Sequence, residues 1–193
     1  MQYLFKRIPL LIILPLMVFL SHKAFADEIV KSKYFNIHVY NGVDRFGLLN
    51  KLDAEYFVRR NIANFEGKND ADFDALLGET LDAIYLQVSD IIDIHMYSLV
   101  IGVDIFPDKK ALTDTLEAYL NSRIDTPSFY FYDKNKIYIS FEDLNPGMLA
   151  HEMTHAIVTH YFAVSLPIKL QEILAGYSEY SIRKLINKTA NNR

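Results

Sequence analysis

A five-residue motif near the carboxyl end of the chain constrains the fold more than any other feature. Residues 151–155 are His-Glu-Met-Thr-His, so two histidines stand four positions apart with a glutamate directly after the first. On an α-helix these histidines lie one turn apart on one side, and both imidazoles can reach a single metal ion. Glu152 projects about 100° away from His151, beside such a metal rather than onto it. The motif therefore predicts a helix with a zinc site, in which Glu152 can deprotonate a metal-bound water.

A glutamate seventeen residues after the second histidine supplies a third ligand. Glu172 follows a Ser-Leu-Pro break and lies on a predicted last helix. Two histidines and one carboxylate leave a fourth coordination position open for water or substrate, as catalytic zinc sites do. We therefore expect one Zn²⁺ per chain, bound by His151, His155 and Glu172, with Glu152 as the general base.

The helix that carries the motif has its own start signal and apolar stripe. Asn145 can cap this helix, and Pro146 suits its first position. One side of the helix carries the residues that we expect to face the core: Leu149, Met153, Ala156, Ile157 and His160. The two histidines and the glutamate of the motif lie on the opposite half of the helix, which we expect to lie outside the core.

His160 is the competing candidate for the third ligand. In metzincins the third histidine lies ten residues after the first and follows a glycine turn. Here position 158 is Val and position 161 is Tyr, and His160 lies on the apolar stripe. We therefore expect His160 to be a core or interface histidine. His38 and His95 have no partner at a metal-binding spacing, and we expect both to be structural.

The amino-terminal segment predicts export. Lys6 and Arg7 precede an apolar run over residues 8–20, and Ala-Phe-Ala at 24–26 is a small-residue cleavage site. This pattern is typical of a secretory signal peptide over residues 1–26, cleaved after Ala26. We expect a periplasmic or secreted bacterial protein. The alternative is an uncleaved segment that anchors the protein to the membrane, although the run is short for a span.

The remaining chain, residues 27–193, has a length that suits one domain with a hydrophobic core. It carries 17 Lys and Arg residues against 24 Asp and Glu, and this acidic balance argues against a nucleic-acid partner. The chain contains no cysteine, so hydrophobic contacts and metal, rather than disulfides, must stabilise an exported fold.

Hydrophobic periodicity predicts an α+β fold in which a small mixed sheet packs on helices. The predicted elements are strands over 34–39 and 97–106, helices over 48–64, 73–95 and 108–120, a hairpin over 129–140, the motif helix from 146, and a last helix over 167–187. We expect residues 137–140 to form the edge strand beside the site. The aromatic residues 129–132 are expected to be buried on both faces.

Residues 145–180 resemble the gluzincin superfamily of zinc metallopeptidases, and most closely its small peptidase-MA-like domains. The resemblance rests on Leu-Ala-His-Glu-Met-Thr-His-Ala-Ile, a Leu-Pro pair, and Leu-Gln-Glu-Ile-Leu-Ala-Gly-Tyr. It implies a zincin-like α+β domain that hydrolyses peptide bonds, with zinc ligands at His151, His155 and Glu172 and the general base at Glu152. A peptide or protein is then the substrate.

The chain also departs from the pattern of that family. Lys169 stands where a tryptophan is usual, and Ile173 replaces the glycine that follows the third ligand. In thermolysin-like relatives a carboxylate four residues after the ligand glutamate orients the first histidine. That position is Gly176 here, and Glu179 is the next acidic residue on nearly the same helix face.

Two functions follow from these observations. The first is an exported zinc metallopeptidase. The alternative is a non-catalytic zinc-binding or interaction module with a zincin fold. Glu152 favours catalysis, because a purely structural zinc site needs no general base and closes its fourth coordination position.

Overall fold

A five-stranded mixed sheet organises the protein, whose computed structural model describes residues 29–59 and 69–190. Six α-helices accompany the sheet, so the described part of the chain is an α+β fold. In chain order the elements are β1 (Ile29–Lys31), β2 (Phe35–Val39), α1 (Arg45–Lys51), α2 (Ala54–Val58), α3 (Asp70–Ile92), β3 (Ile101–Phe106), α4 (Lys109–Leu120), β4 (Ser128–Phe131), β5 (Lys136–Ser140), α5 (Pro146–Tyr161) and α6 (Ile168–Ala190). The predicted signal peptide, residues 1–26, lies outside the described residues.

The sheet has the strand order β1-β2-β3-β5-β4. The central strands β2, β3 and β5 are parallel, whereas β1 and β4 pair antiparallel with their neighbours. The hairpin prediction is confirmed, because β4 pairs with β5 in a register that places Tyr130 opposite Ile137. The prediction of its edge strand was wrong: β5 is an inner strand, and β4 forms the edge.

The burial of the two hairpin strands explains this difference. Ile137 and Ile139 enter the main core, and Tyr138 is buried on the other face of the sheet. A strand that is buried on both faces needs neighbours on both sides, and β3 and β4 supply them. In β4, by contrast, Ser128 and Tyr130 are buried but Phe129 and Phe131 remain partly exposed.

The helix prediction over residues 48–64 is wrong in its details. Two short helices, α1 and α2, occupy its first part, and Asp53 separates them with a left-handed backbone at φ 50°. Residues 60–64 lie outside the described residues. The three-residue strand β1 is too short to leave a periodic pattern, and the sequence did not predict it. Strand β3 begins at Ile101, four residues later than predicted.

Helices cover both faces of the sheet. On one face, apolar residues of the inner strands pack against α3, α5 and α6. The strand residues include Ile37, Val103, Ile105, Ile137 and Ile139, and the helix residues include Leu77, Leu81, Ile84, Leu149, Met153, Ala156, Ile157 and Ile182. On the other face, Leu112 and Leu116 of α4 contact Phe106 and Tyr138. Each fully buried Val, Leu, Ile, Phe or Met side chain contributes about 1.5–3 kcal/mol. Helix α5 contacts α3, α6, β4 and β5, so the main core holds it on several sides.

The start of α5 agrees with its sequence signal. The side chain of Asn145 accepts a hydrogen bond from the backbone N–H of Met148 at 3.0 Å, and Pro146 takes the first position of the helix. Both predictions are therefore confirmed. Within residues 29–59 and 69–190, no helix combines the length and the apolar character that crossing a membrane requires.

Candidate metal centre

Three side chains from α5 and α6 converge on one point. The Nε2 atoms of His151 and His155 are 3.2 Å apart. One carboxylate oxygen of Glu172 lies 3.5 Å from the His151 Nε2, and the other lies 3.5 Å from the His155 Nε2. The described residues contain one group of at least three His or carboxylate donors whose ligand atoms all lie within 4.8 Å, and it is this group. We call His151, His155 and Glu172 the metal cluster.

The spacing of the metal cluster fits a tetrahedral zinc ion. Bonds of about 2.0–2.2 Å to nitrogen and oxygen place neighbouring ligands of tetrahedral zinc about 3.3–3.5 Å apart. The two histidine nitrogens are 3.2 Å apart, close to that range, and each lies 3.5 Å from a different oxygen of Glu172. Two imidazoles and one carboxylate are also a donor set that zinc favours. These three residues would therefore hold the ion.

The electrostatic setting favours neutral imidazole at His155. Burial lowers the pKa of His155, and the neighbouring His151 lowers it further. The carboxylate of Glu172 and a hydrogen bond with Gln171 act in the opposite direction. A neutral ring keeps the nitrogen lone pair that a metal requires.

Helix α6 brings Glu172 to the histidines because it lies close against α5. The chain turns at Pro167, whose carbonyl accepts a hydrogen bond from the Leu170 N–H at 2.8 Å. The buried side of α6 carries two small residues, Ala175 and Ser178, and both are fully buried. Small side chains let two helices approach closely, and Glu172 stands three residues before the first of them.

A second carboxylate lies behind His151. An oxygen of Glu179 is 3.3 Å from His151 Nδ1, the ring nitrogen that does not face Glu172. This Nδ1 is buried and makes no aligned hydrogen bond, so the contact is an ion-pair distance only. Arg183 donates a hydrogen bond to the other oxygen of Glu179 at 2.7 Å. Gly176 has no carboxylate that could orient His151, but Glu179 lies behind this ring and can orient it.

Glu152 is buried, whereas the sequence predicted that this side of the helix would lie outside the core. The reason is that edge strand β4 lies over it. The hydroxyl of Ser128 donates to Oε1 of Glu152 at 2.6 Å, and the backbone N–H of Tyr130 faces the carboxylate and lowers its pKa. Burial raises the pKa of Glu152, and the charge of Glu172 adds to this effect. The Ser128 hydrogen bond, the charge of His151 and the Tyr130 N–H partly offset it.

The backbone of β4 presents polar groups to the site. Ser140 N–H donates to the carbonyl of Pro127 at 2.9 Å, and bonding alternates along an antiparallel pair. The backbone groups of Ser128 and Tyr130 consequently point away from β5. Two of them are engaged within the protein, because the Tyr130 N–H faces Glu152 and the Ser128 carbonyl accepts from the Thr126 hydroxyl at 2.7 Å. The Ser128 N–H and the Tyr130 carbonyl are the other two outward groups.

A cleft of about 640 Å³ opens onto the metal cluster. Strand β4 forms one wall, α5 forms the floor, and the start of α6 with the loop before it forms the other wall. Beyond the metal cluster and Glu152, the lining residues are Thr126, Ser128, Phe129, Tyr130, Tyr132, Thr159, Phe162, Ala163, Ser165 and Gln171. The cleft is large enough for several residues of a peptide and contains apolar, aromatic and hydroxyl side chains.

The other candidate histidines lie apart from the metal cluster. His160 Nδ1 is 2.9 Å from the Ala156 carbonyl and 3.3 Å from the Tyr130 hydroxyl. His95 contacts Asp90 at 2.9 Å. His38 lies 4.0 Å from an oxygen of Asp104, on the face of the sheet that α4 covers in part.

No protein-family model, no curated protein and no solved structure matches this chain.

Proposed function

We propose that this chain is an exported zinc metallopeptidase that hydrolyses peptide bonds in a peptide or protein substrate. The observation that carries the proposal is the convergence of His151, His155 and Glu172 at zinc-ligand spacing, with Glu152 in the same cleft. The gluzincin-like sequence over residues 145–180 supports the same function. A zincin-like identity for the α+β fold is part of this proposal.

Each site residue has a separate role in the proposed reaction. His151, His155 and Glu172 would hold the ion, which when bound would supply Lewis acidity to the peptide carbonyl and to the attacking water. Glu152 takes the proton from that water. The hydrogen bond from Ser128, beside the nearby Tyr130 N–H, fixes the orientation of the Glu152 carboxylate, and partial exclusion of solvent favours its protonated form after the transfer.

The edge strand β4 offers a binding site for an extended substrate. A peptide that adds to this edge can bond the Ser128 N–H and the Tyr130 carbonyl. The edge strand that we expected at residues 137–140 is β4 instead, so we assign the proposed substrate-binding role to β4. Because two of the four outward backbone groups of β4 already have partners, main-chain pairing contributes only part of the affinity, and side-chain contacts in the cleft must contribute the rest.

The second candidate function is a zinc-binding module without catalysis. The observation that favours it is the burial of Glu152 with a hydrogen bond from Ser128, since a carboxylate held by a buried donor can have a structural role alone. On this hypothesis the cleft binds a partner peptide and releases it intact.

Metal analysis and hydrolysis of an unfolded generic protein substrate separate the two functions. We expect wild type to bind zinc and cleave, and Glu152→Gln to keep its zinc while losing about 10²–10⁴-fold in rate, as removal of a general base does. Glu117→Gln is the control, because Glu117 is exposed on α4.

Zinc-loaded wild type that cleaves none of a broad peptide library would contradict the peptidase and support the module. Equal cleavage by wild type and Glu152→Gln would show that Glu152 is not the base.

A further inference from the structure

Helix α6 has an apolar face on the side opposite the core. Leu170, Ile173, Tyr177 and Tyr180 are 48%, 57%, 55% and 61% exposed, respectively. Their spacing of three and four residues aligns them in one stripe, about opposite the buried Ala175, Ser178 and Ile182. The outer side of a surface helix is normally polar. We call these four residues the outer face of α6.

The apolar surface continues toward the cleft. Val164 and Ile168, just before and at the start of α6, are 81% and 77% exposed. The same loop contributes Phe162, Ala163 and Ser165 to the cleft wall. The outer face of α6 and the mouth of the cleft are thus neighbouring parts of one surface.

The charges on this side of α6 are all positive. Lys169, Lys184 and Lys188 project within about 60° of the centre of the outer face, at 100° per residue. The two acidic residues of the helix, Glu172 and Glu179, instead contact the histidines of the site. A depression of about 560 Å³ on this side is lined by Tyr180, Arg183, Lys184, Asn187 and Lys188. This cationic surface belongs to a chain whose net charge is −4.

We propose that the outer face of α6 binds an anionic membrane surface. Apolar and aromatic side chains enter the boundary between headgroups and acyl chains, to a depth of about 5–10 Å, in helices that lie on a membrane. Tyrosine suits this boundary because its ring is apolar and its hydroxyl is polar. The lysines then reach lipid phosphates, and the depression beside Tyr180 can receive a headgroup.

A second copy of the chain fits this face less well. A two-fold symmetric contact between two α6 helices brings lysines of both copies into one interface. The outer face has no acidic residue that could neutralise them, and buried like charges weaken association. A bilayer with anionic lipids offers an apolar interior to the outer face of α6 and negative charges to its lysines.

This orientation places the mouth of the cleft next to the lipid surface. If the proposed peptidase function holds, on which this one consequence rests, its substrate class is membrane-associated polypeptides. Membrane binding itself requires neither zinc nor Glu152, so the two proposals can fail separately.

A single tryptophan tests the binding face directly, because the chain contains none. Tyr177→Trp places the probe on the outer face of α6, and Tyr97→Trp places a matched probe at a site that is 64% exposed and precedes β3. The full chain, as the producing cell exports it, is mixed with vesicles of phosphatidylcholine and phosphatidylglycerol. We expect a blue shift of emission for Tyr177→Trp and none for Tyr97→Trp, even if a retained amino-terminal segment tethers both.

The charge requirement is tested in the Tyr177→Trp background. Lys184→Gln with Lys188→Gln should weaken partitioning about 30-fold, because each lysine near an anionic surface contributes about fivefold. Added salt should weaken it as well. A shift without vesicles that grows with protein concentration, together with a dimer mass in ultracentrifugation, would assign the face to a second copy and overturn the proposal. The absence of any shift with anionic vesicles would also overturn it.

Discussion

Two buried carboxylates lie near histidines on opposite faces of the sheet, and their surroundings differ. Asp104 is next to His38 at 4.0 Å, and the ammonium group of Lys136 donates to both of its oxygens at 3.1 and 3.2 Å. Glu152 lies beside the metal cluster, where its direct partners are the neutral Ser128 hydroxyl and the Tyr130 N–H. The first carboxylate is neutralised by a cation, and the second is not.

The difference shows what separates a structural cluster from a candidate reactive one. An ion pair with Lys136 satisfies the charge of Asp104, which leaves little drive to bind a metal. In the metal cluster, two histidine nitrogens and a carboxylate converge, and the described ion pairs of Glu172 are with these two histidines rather than with a lysine or arginine. Such an arrangement is stabilised when a divalent cation binds. Proximity of histidine and carboxylate alone does not identify a metal site.

Glu179 sharpens this comparison because it combines both situations: it contacts His151 and also accepts a hydrogen bond from Arg183. We expect Glu179→Gln to lower zinc affinity about 10–100-fold, as loss of a partner behind a metal-bound histidine does. Competition with a chelator dye measures this affinity. Glu117→Gln should be unchanged. Equal affinities for Glu179→Gln and wild type would show that the neutralised carboxylate contributes nothing to the metal cluster.

A smaller effect is expected at the hydroxyl that holds Glu152. Ser128→Ala removes a hydrogen bond to a charged group, worth about 1.5–3 kcal/mol, and should reduce kcat by about 10–100-fold. KM and zinc content should change little, since Ser128 acts only through the orientation of Glu152. Ser128→Thr should restore kcat. A rise in KM with kcat unchanged would instead assign Ser128 to substrate binding.

Elements that depend on local signals could be predicted from the sequence. The start of α5 at Asn145 and Pro146 is one example, and the long periodic helix α3 is another. The order of the strands could not be predicted, because pairing joins segments that are far apart in the chain. For this reason the hairpin was predicted but its edge was assigned to β5 instead of β4. Strand β1 has only three residues and no detectable pattern.

The same distinction applies to the candidate site. His151 and His155 face one point because they are one helical turn apart, and Glu172 requires only that the next helix pack against α5. The burial of Glu152 could not be predicted from the sequence of α5 alone, because strand β4 covers this residue. Ser128 lies 24 residues before Glu152 and carries no motif, so only the tertiary structure brings the two together.

The central claim is that the metal cluster, and no other histidine–carboxylate group of the described residues, binds zinc. The most direct measurement is the zinc content of wild type, Glu172→Ala and His38→Ala after equilibration with zinc and removal of unbound metal. We predict one zinc per chain in wild type and in His38→Ala, and strong loss in Glu172→Ala. Full zinc in Glu172→Ala, or loss of zinc in His38→Ala, would contradict this account.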